Sequence, residues 1–337
     1  MKALVIDRPG EARIVEVDWQ TPGAGEASMR VRRIGLCGTD LSTFLGKNPL
    51  VTYPRIPGHE IAATLEDVPA NDFGLRAGMD VTMSPYTSCG VCPSCRQGRV
   101  NACRSNQTLG VQRDGAMQEH LNMPLAKLYA APLSIQELCL VEPLTVGCHA
   151  VARGNIKASD TVAIYGCGGV GLGAVSAAAF RGAKVIAIDL DDRKLEIAQK
   201  AGARHAIHTG QEDVMLRLQE ITGGDGPDVI IEAIGRPETF RASVEQVGFA
   251  GRVVYIGYAK EPVSYETRLF VQKELDIRGS RNALPEDFQE VIRMFEEGRF
   301  PTEDTISATV PLSEAPAILK AWSANPAAYT KIMVSLD

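Results

Sequence analysis

The sequence predicts an α/β protein in two parts, a doubly wound parallel sheet beside a β-rich domain, and three observations predict it. The chain has 337 residues, well beyond a typical single core of about 150, so two cores are expected. Residues 150–280 alternate short β-branched runs with helical patterns. Residues 1–143 instead show short β-rich runs broken by Gly and Pro turns, and they hold most of the cysteines.

Strands are expected at 161–165, 184–189, 206–208, 229–233, 252–256 and 275–279. Six parallel strands with helical crossovers between the earlier ones make a doubly wound sheet. Beyond Ser280 the pattern gives a helix over 285–297, a strand over 309–312, a short helix over 313–323 and a closing strand over 330–336. That tail is too short for a core of its own and should return to the first domain. The expected division is therefore 1–145 with 284–337, and 146–283.

Composition removes several classes of function. With 45% hydrophobic and 23% charged residues and no repeat or low-complexity tract, the chain is neither disordered nor a solenoid. A net charge of -6 argues against nucleic acid or an anionic membrane surface as partner and favours a small molecule. The apolar run at the N-terminus stops at Asp7, too short for a secretory segment. Residues 161–180 carry no charge over the length of a bilayer span. Their glycines and hydroxyls, followed by Arg181 and Lys184, read better as a buried strand, turn and helix. A cytoplasmic protein is expected, and its 8 cysteines should then be metal ligands or free thiols rather than disulfides.

Gly166-Cys167-Gly168-Gly169-Val170-Gly171 follows an expected strand and opens an expected helix, the context that gives a GxGxxG run its meaning. Gly166 allows the turn, Gly168 lets a pyrophosphate approach the backbone, and Gly171 permits close helix–sheet packing. Gly169 and Val170 lie at the helix N-terminus that faces the phosphates. Asp189, at the end of the second strand, can hold both hydroxyls of an adenosine ribose and would repel a 2′-phosphate. NAD is thus expected over NADP, with Asp191 and Asp192 reinforcing the negative field and Arg193 opposing it.

Cys89, Cys92, Cys95 and Cys103 have the spacing of a closed tetrahedral zinc site that leaves no position for substrate, so its role would be structural. Arg96, Arg99 and Arg104 are placed either to offset its charge or simply to solubilise the loop. Cys37, in Gly35-Leu36-Cys37-Gly38-Thr39-Asp40, and His59, in Pro57-Gly58-His59-Glu60, offer a thiolate and an imidazole beside turn glycines. Each alone reads equally as a small core hydrophobe or a satisfied polar residue. Glu142, in Val141-Glu142-Pro143-Leu144, is costly in so apolar a run unless partnered, and a metal is a suitable partner.

Taken in order, C-G-T-D, G-H-E, the four-cysteine lobe, E-P-L and G-C-G-G-V-G resemble the zinc-containing medium-chain dehydrogenases over essentially the whole chain. Within them the chain is similar to the polyol (sorbitol) and threonine dehydrogenase branch. The resemblance implies a GroES-like catalytic domain beside a Rossmann domain. It assigns Cys37, His59 and Glu60 to a catalytic zinc, with Glu142 ligating or holding the zinc-bound water. Cys⁻, neutral His and one Glu⁻ would bring Zn²⁺ to net zero, so Glu60 and Glu142 are expected to alternate. A strand would point Glu60 away from His59, which is the competing reading.

The resemblance also implies that Thr39 accepts the alcohol proton and that Asp40 orients the metal-bound imidazole; Asp40 could equally cap a helix. Ser280, Arg281 and Asn282 follow the sixth strand, where ligands of such sheets bind. Arg281 matches an arginine of related polyol enzymes that reaches the active site; it would pair with a carboxylate if the substrate carries one, or equally form a surface salt bridge. The run Gly279-Ser280-Arg281-Asn282-Ala283-Leu284-Pro285-Glu286-Asp287-Phe288 resembles the galactonate and gulonate 5-dehydrogenases. The expected reaction is NAD-linked oxidation of a secondary alcohol on a polyol, sugar or sugar acid, with zinc in both sites. An amino-alcohol dehydrogenase of the threonine type shares every feature named, and a silent nucleotide-binding sensor is the alternative of another class. Members of the family are commonly homodimers or homotetramers, with 252–258 the expected joining edge.

Overall fold

The computed structural model describes residues 1–337, and in it the chain divides into two compact units, Met1–Glu142 with Thr302–Asp337, and Pro143–Pro301.

The chain enters the first unit through β1 (Lys2–Arg8), β2 (Glu11–Glu16), β3 (Glu26–Leu36), α1 (Gly38–Phe44), β4 (Glu60–Asp67), β5 (Asp80–Met83), α2 (Pro93–Arg96), β6 (His120–Pro124), β7 (Leu128–Ala130) and the start of α3 (Ile135–Arg153), whose residues from Pro143 onward belong to the second unit. The second unit adds β8 (Thr161–Tyr165), α4 (Gly169–Phe180), β9 (Lys184–Asp189), α5 (Asp192–Lys200), β10 (His205–His208), α6 (Val214–Thr222), β11 (Val229–Glu232), α7 (Pro237–Gln246), β12 (Arg252–Tyr255), α8 (Arg268–Gln272), β13 (Asp276–Gly279) and α9 (Pro285–Glu296). The chain then returns to the first unit as α10 (Thr302–Thr305), β14 (Ile306–Pro311), α11 (Ala315–Ala324) and β15 (Lys331–Ser335).

In the first unit a sheet runs in the order β14-β15-β3-β4-β5-β7, with β6 also paired to β3. Its core is the apolar side of these strands, with Met29, Ile34, Ile61, Leu65 and Val334 fully buried beside Leu4 and Ile6. Burying each such side chain contributes on the order of 1.5–3 kcal/mol. The long strand β3 is the organiser, because it lies against β4 on one side and β15 on the other. Gly35 faces Glu60 and Leu36 faces Ile332, which brings three distant stretches of sequence to one end of the sheet.

The second unit holds six strands in the order β10-β9-β8-β11-β12-β13, all parallel, which is the doubly wound arrangement. Its strands read as continuous apolar runs because helices cover both faces. The uncharged stretch over 161–180 is strand β8, the glycine turn and α4. No helix is long and apolar enough to cross a membrane.

Two expectations need correction. The segment 284–301 belongs with the second unit, so the division falls at Glu142 and Pro301. Helix α9 turns Phe288, Val291, Met294 and Phe295 inward, and its Asp287 meets His149 of α3 at 2.8 Å in a buried pair. Arg181 grips Glu290 of the same helix through two hydrogen bonds of 2.8 and 2.7 Å. Apolar periodicity marks α9 as a buried-face helix without saying which core receives it. The second correction concerns the edge: 252–258 contains β12, which is paired on both sides, and the edge strands are β10 and β13.

Candidate metal centres and dinucleotide site

Cys37 follows β3 and opens α1, while His59 precedes β4 and Glu60 begins it. Gly58 lies at φ +99°, a conformation that L side chains rarely adopt. This turn sets His59 outside the regular strand, so strict alternation no longer separates it from Glu60. Ligand atoms of Cys37, His59 and Glu60 all lie within 4.8 Å of one another.

Asp40 joins the two segments. Its carboxylate is fully buried and accepts the Cys37 N–H at 2.9 Å and the Gly58 N–H at 3.1 Å. It therefore caps the start of α1, and it also lies near the imidazole, with Oδ1 3.9 Å from His59 Nδ1. That nitrogen is buried with no hydrogen-bond partner. Burial disfavours charge on His59, but Asp40, Cys37 and Glu142 outweigh it and raise the imidazole pKa well above its usual range. The Cys37 thiol lies 3.6 Å from the Thr39 hydroxyl and donates to it.

Glu60 has a partner that sequence reasoning missed. Lys331, at the start of β15, donates to both of its carboxylate oxygens at 2.8 and 2.6 Å, and both residues are buried (5% and 1% exposed). Gly35 makes room for the pair, since a Cβ there would come within 2.1 Å of Glu60 Oε2. Glu142, in α3, is 3% exposed and accepts a short hydrogen bond from the buried Tyr86 hydroxyl. Burial pushes the Glu142 pKa up to about 7, aided by Glu60 and opposed by His59 and Tyr86. Burial and Glu142 also raise the Tyr86 phenol, which keeps it the donor.

The donor set fits a zinc ion: one thiolate, one imidazole and a carboxylate within 4.8 Å of one another, with the imidazole Nδ1 left without a hydrogen-bond partner beside Asp40. Cys37, Glu60, Glu142 and the neighbouring Asp40 gather groups that can be anionic around one lysine, Lys331, and one imidazole, a surrounding that suits a bound dication.

The four lobe cysteines gather around α2 with all sulfurs within 4.8 Å. Cys92 Sγ lies 3.4 Å from Cys95 Sγ and 3.9 Å from Cys103 Sγ. These separations are far too long for a disulfide bond of about 2.05 Å. They match the edge of a tetrahedron with metal–sulfur bonds of about 2.3 Å. Backbone N–H groups of Cys89 and Ser105 point at Cys103 Sγ. The sulfurs compete for protons: the Ser94 hydroxyl and nearby N–H groups hold Cys92 down to about 5, whereas burial and Cys92 push Cys95 up to about 11. A dication among them would relieve that competition. Arg96, Arg99 and Arg104 have exposed side chains around the lobe.

In the second unit the glycine run turns between β8 and α4. Gly166 lies at φ +92°, and a Cβ on Gly171 would sit 1.7 Å from the Gly166 carbonyl oxygen. A Cβ on Gly168, the residue preceding α4, would meet nothing, which is the open space a pyrophosphate needs. Gly169 and Val170 form the first turn. Asp189 closes this cradle, for its carboxylate accepts the Cys167 N–H at 2.7 Å, the Leu190 N–H at 2.8 Å and the Asp191 N–H at 3.2 Å. Arg193 is exposed in the first turn of α5. Ser280 is buried with its hydroxyl unpartnered, Arg281 is exposed, and Asn282 takes a left-handed conformation at φ +53°.

Comparison with known proteins agrees with this geometry. Residues 23–133 match the alcohol dehydrogenase GroES-like domain, and residues 169–297 match the zinc-binding dehydrogenase domain. The L-galactonate-5-dehydrogenase of Escherichia coli K12 is 31% identical, over 93% of this chain and 92% of its own. A crystal structure described as an alcohol dehydrogenase of E. coli CFT073, complexed with NADH, is 29% identical with a TM-score of 0.91 and covers 100% of this chain and 99% of its own. A zinc-binding dehydrogenase structure from Sinorhizobium meliloti, bound to NADP, is 30% identical with a TM-score of 0.90 and covers 99% and 98%. The chain is an oxidoreductase with a GroES-like and a Rossmann-type domain. It belongs to the zinc-binding alcohol dehydrogenase family.

Proposed function

We propose that the protein oxidises a secondary hydroxyl of a polyol, sugar or sugar acid such as an aldonate and passes the hydride to NAD. The observation that carries this reading is the gathering of Cys37, His59 and Glu60 within 4.8 Å, with buried Glu142 electrostatically coupled to the imidazole. Cys37, His59 and Glu60 or Glu142 would hold a catalytic zinc, and Cys89, Cys92, Cys95 and Cys103 a structural one. When bound, zinc acidifies the substrate hydroxyl and NAD accepts the hydride.

The chain's own residues supply the rest. Thr39, whose hydroxyl lies 3.6 Å from the Cys37 sulfur, receives the alcohol proton. Asp40 keeps Cys37 and His59 in register by holding the backbone of both segments. Lys331 steadies Glu60 and so limits how far its carboxylate swings. Asp189 receives the adenosine ribose, and its charge disfavours a 2′-phosphate. The glycine run Gly166 to Gly171 takes the pyrophosphate, with Ser280 and Asn282 contacting the cofactor and Arg281 pairing with a substrate carboxylate.

The test is a panel of polyols, aldonates, aldoses and amino alcohols with NAD and with NADP, read by nicotinamide absorbance, together with metal analysis. Turnover of an aldonate or polyol with NAD, abolished by a chelator, is expected. Turnover confined to amino alcohols, or a higher kcat/KM with NADP, would displace the reading. Arg281→Ala should raise KM for an aldonate more than for a neutral polyol; equal effects on both remove the carboxylate pairing.

A further inference from the structure

We infer that Tyr86 is a positioning residue for Glu142 and that through it the cysteine lobe fixes one carboxylate of the candidate catalytic metal site. The inference rests on the metal reading of Cys37, His59, Glu60 and Glu142 given above. Tyr86 is 6% exposed, and its hydroxyl donates to Glu142 Oε1 across 56 residues of sequence. An O–H donor to a carboxylate is among the stronger hydrogen bonds. The bond ties the Glu142 carboxylate to the Tyr86 phenol and so restrains its orientation toward the candidate metal site.

The backbone that carries Tyr86 is held by the lobe. Residues 85–87 and 107–109 form a short ladder in which Tyr86 bridges Thr108, Leu109 N donates to Pro85 O at 3.1 Å, and Thr87 N donates to Gln107 O at 3.3 Å. Gln107 N also donates to Thr87 Oγ1 at 2.7 Å. One arm of this ladder runs directly into Cys89 and the other leaves from Cys103, so the lobe's two ends frame Tyr86. A metal that draws the four sulfurs together also sets the spacing of those arms. The phenol then transmits that setting to Glu142. A lobe loosened by metal loss would let the two arms shift, and the carboxylate would lose its fixed orientation.

The experiment uses holoenzyme in which the catalytic metal is exchanged for Co²⁺, whose visible ligand-field band reports the geometry of its ligands. Tyr86→Phe keeps the ring and removes only the donor. It is expected to shift the Co²⁺ band, weaken metal retention at that site about 10- to 100-fold in a chelator competition, and lower kcat with KM for NAD unchanged. The lobe should retain its own zinc. In Cys92→Ser, which loses the lobe zinc without touching the catalytic donors, the same band is expected to shift. This second measurement stands even where Tyr86→Phe folds poorly. An unchanged band and unchanged metal retention in both cases overturn the positioning role while leaving the metal site intact. Metal analysis that finds no ion outside the lobe fails the underlying metal reading instead.

Discussion

Lys331 and Glu60 form a doubly hydrogen-bonded ion pair in the interior of the first unit, at the junction of β15 with β3 and β4. The two residues are 271 positions apart, and Lys331 also reaches the Leu36 carbonyl at 3.4 Å. Burial works against the ammonium, but Glu60 and Cys37 more than offset it, so the lysine pKa is raised.

Removing the lysine leaves a buried carboxylate without its counter-charge. Lys331→Met is expected to destabilise the metal-free protein by about 3–5 kcal/mol, the usual range when one partner of a buried pair is deleted. Urea titration at neutral pH measures this. A loss below about 1 kcal/mol would mean that Glu60 finds another partner.

Cys92 has buried sulfur neighbours at 3.4 and 3.9 Å and a Ser94 contact at 3.1 Å. Cys92→Ser is expected to lose the lobe metal while the catalytic metal is retained less tightly rather than lost. Elemental analysis after gel filtration distinguishes the two, and a variant that still holds its full complement of metal refutes the assignment.

Asp189 orders the dinucleotide loop through three backbone donors. Asp189→Ala removes both this anchor and the proposed ribose acceptor. Charge-assisted hydrogen bonds contribute about 1.5–3 kcal/mol, so KM for NAD should rise about 10-fold or more. The preference for NAD over NADP should shrink, and steady-state kinetics with both cofactors provides the check.

Glu232, at the end of β11, gives Oε1 to the N–H groups of Ile234 and Gly235 and to the Thr239 hydroxyl, while Oε2 is buried without a partner. Burial raises its pKa despite those donors. An acid whose folded pKa lies above its unfolded value binds more protons when folded, so stability falls as pH rises from the unfolded value, about 4.3, through the folded one. Glu232→Gln removes that slope. The difference in Tm between variant and wild type should move in the variant's favour between pH 4.5 and 7; a constant difference contradicts the assignment.

Much of this was readable from local sequence, because the features concerned are set by local chemistry. The six parallel strands, the glycine run and the four cysteines each announce themselves within one short window. Cys37, His59 and Glu60 were readable as a group only through the ordered motifs. Lys331 and Tyr86 were not readable at all. A lysine at the start of a strand normally lies in solvent, and its burial against Glu60 depends on β15 pairing with β3. Tyr86 looks like a core aromatic until the fold brings Glu142 to its hydroxyl. The boundary at 284 failed for the same reason, since the receiving core of α9 is chosen by tertiary partners such as His149 and Arg181.

The order in which these residues leave the ribosome has a consequence of its own. Lys331 follows every other member of the cluster along the chain, so a growing polypeptide exposes Cys37, His59, Glu60 and Glu142 long before their cation arrives. Any metal captured earlier in synthesis would meet an assembly with one uncompensated negative charge more than the finished protein has, and a product cut short before β15 would keep that excess permanently.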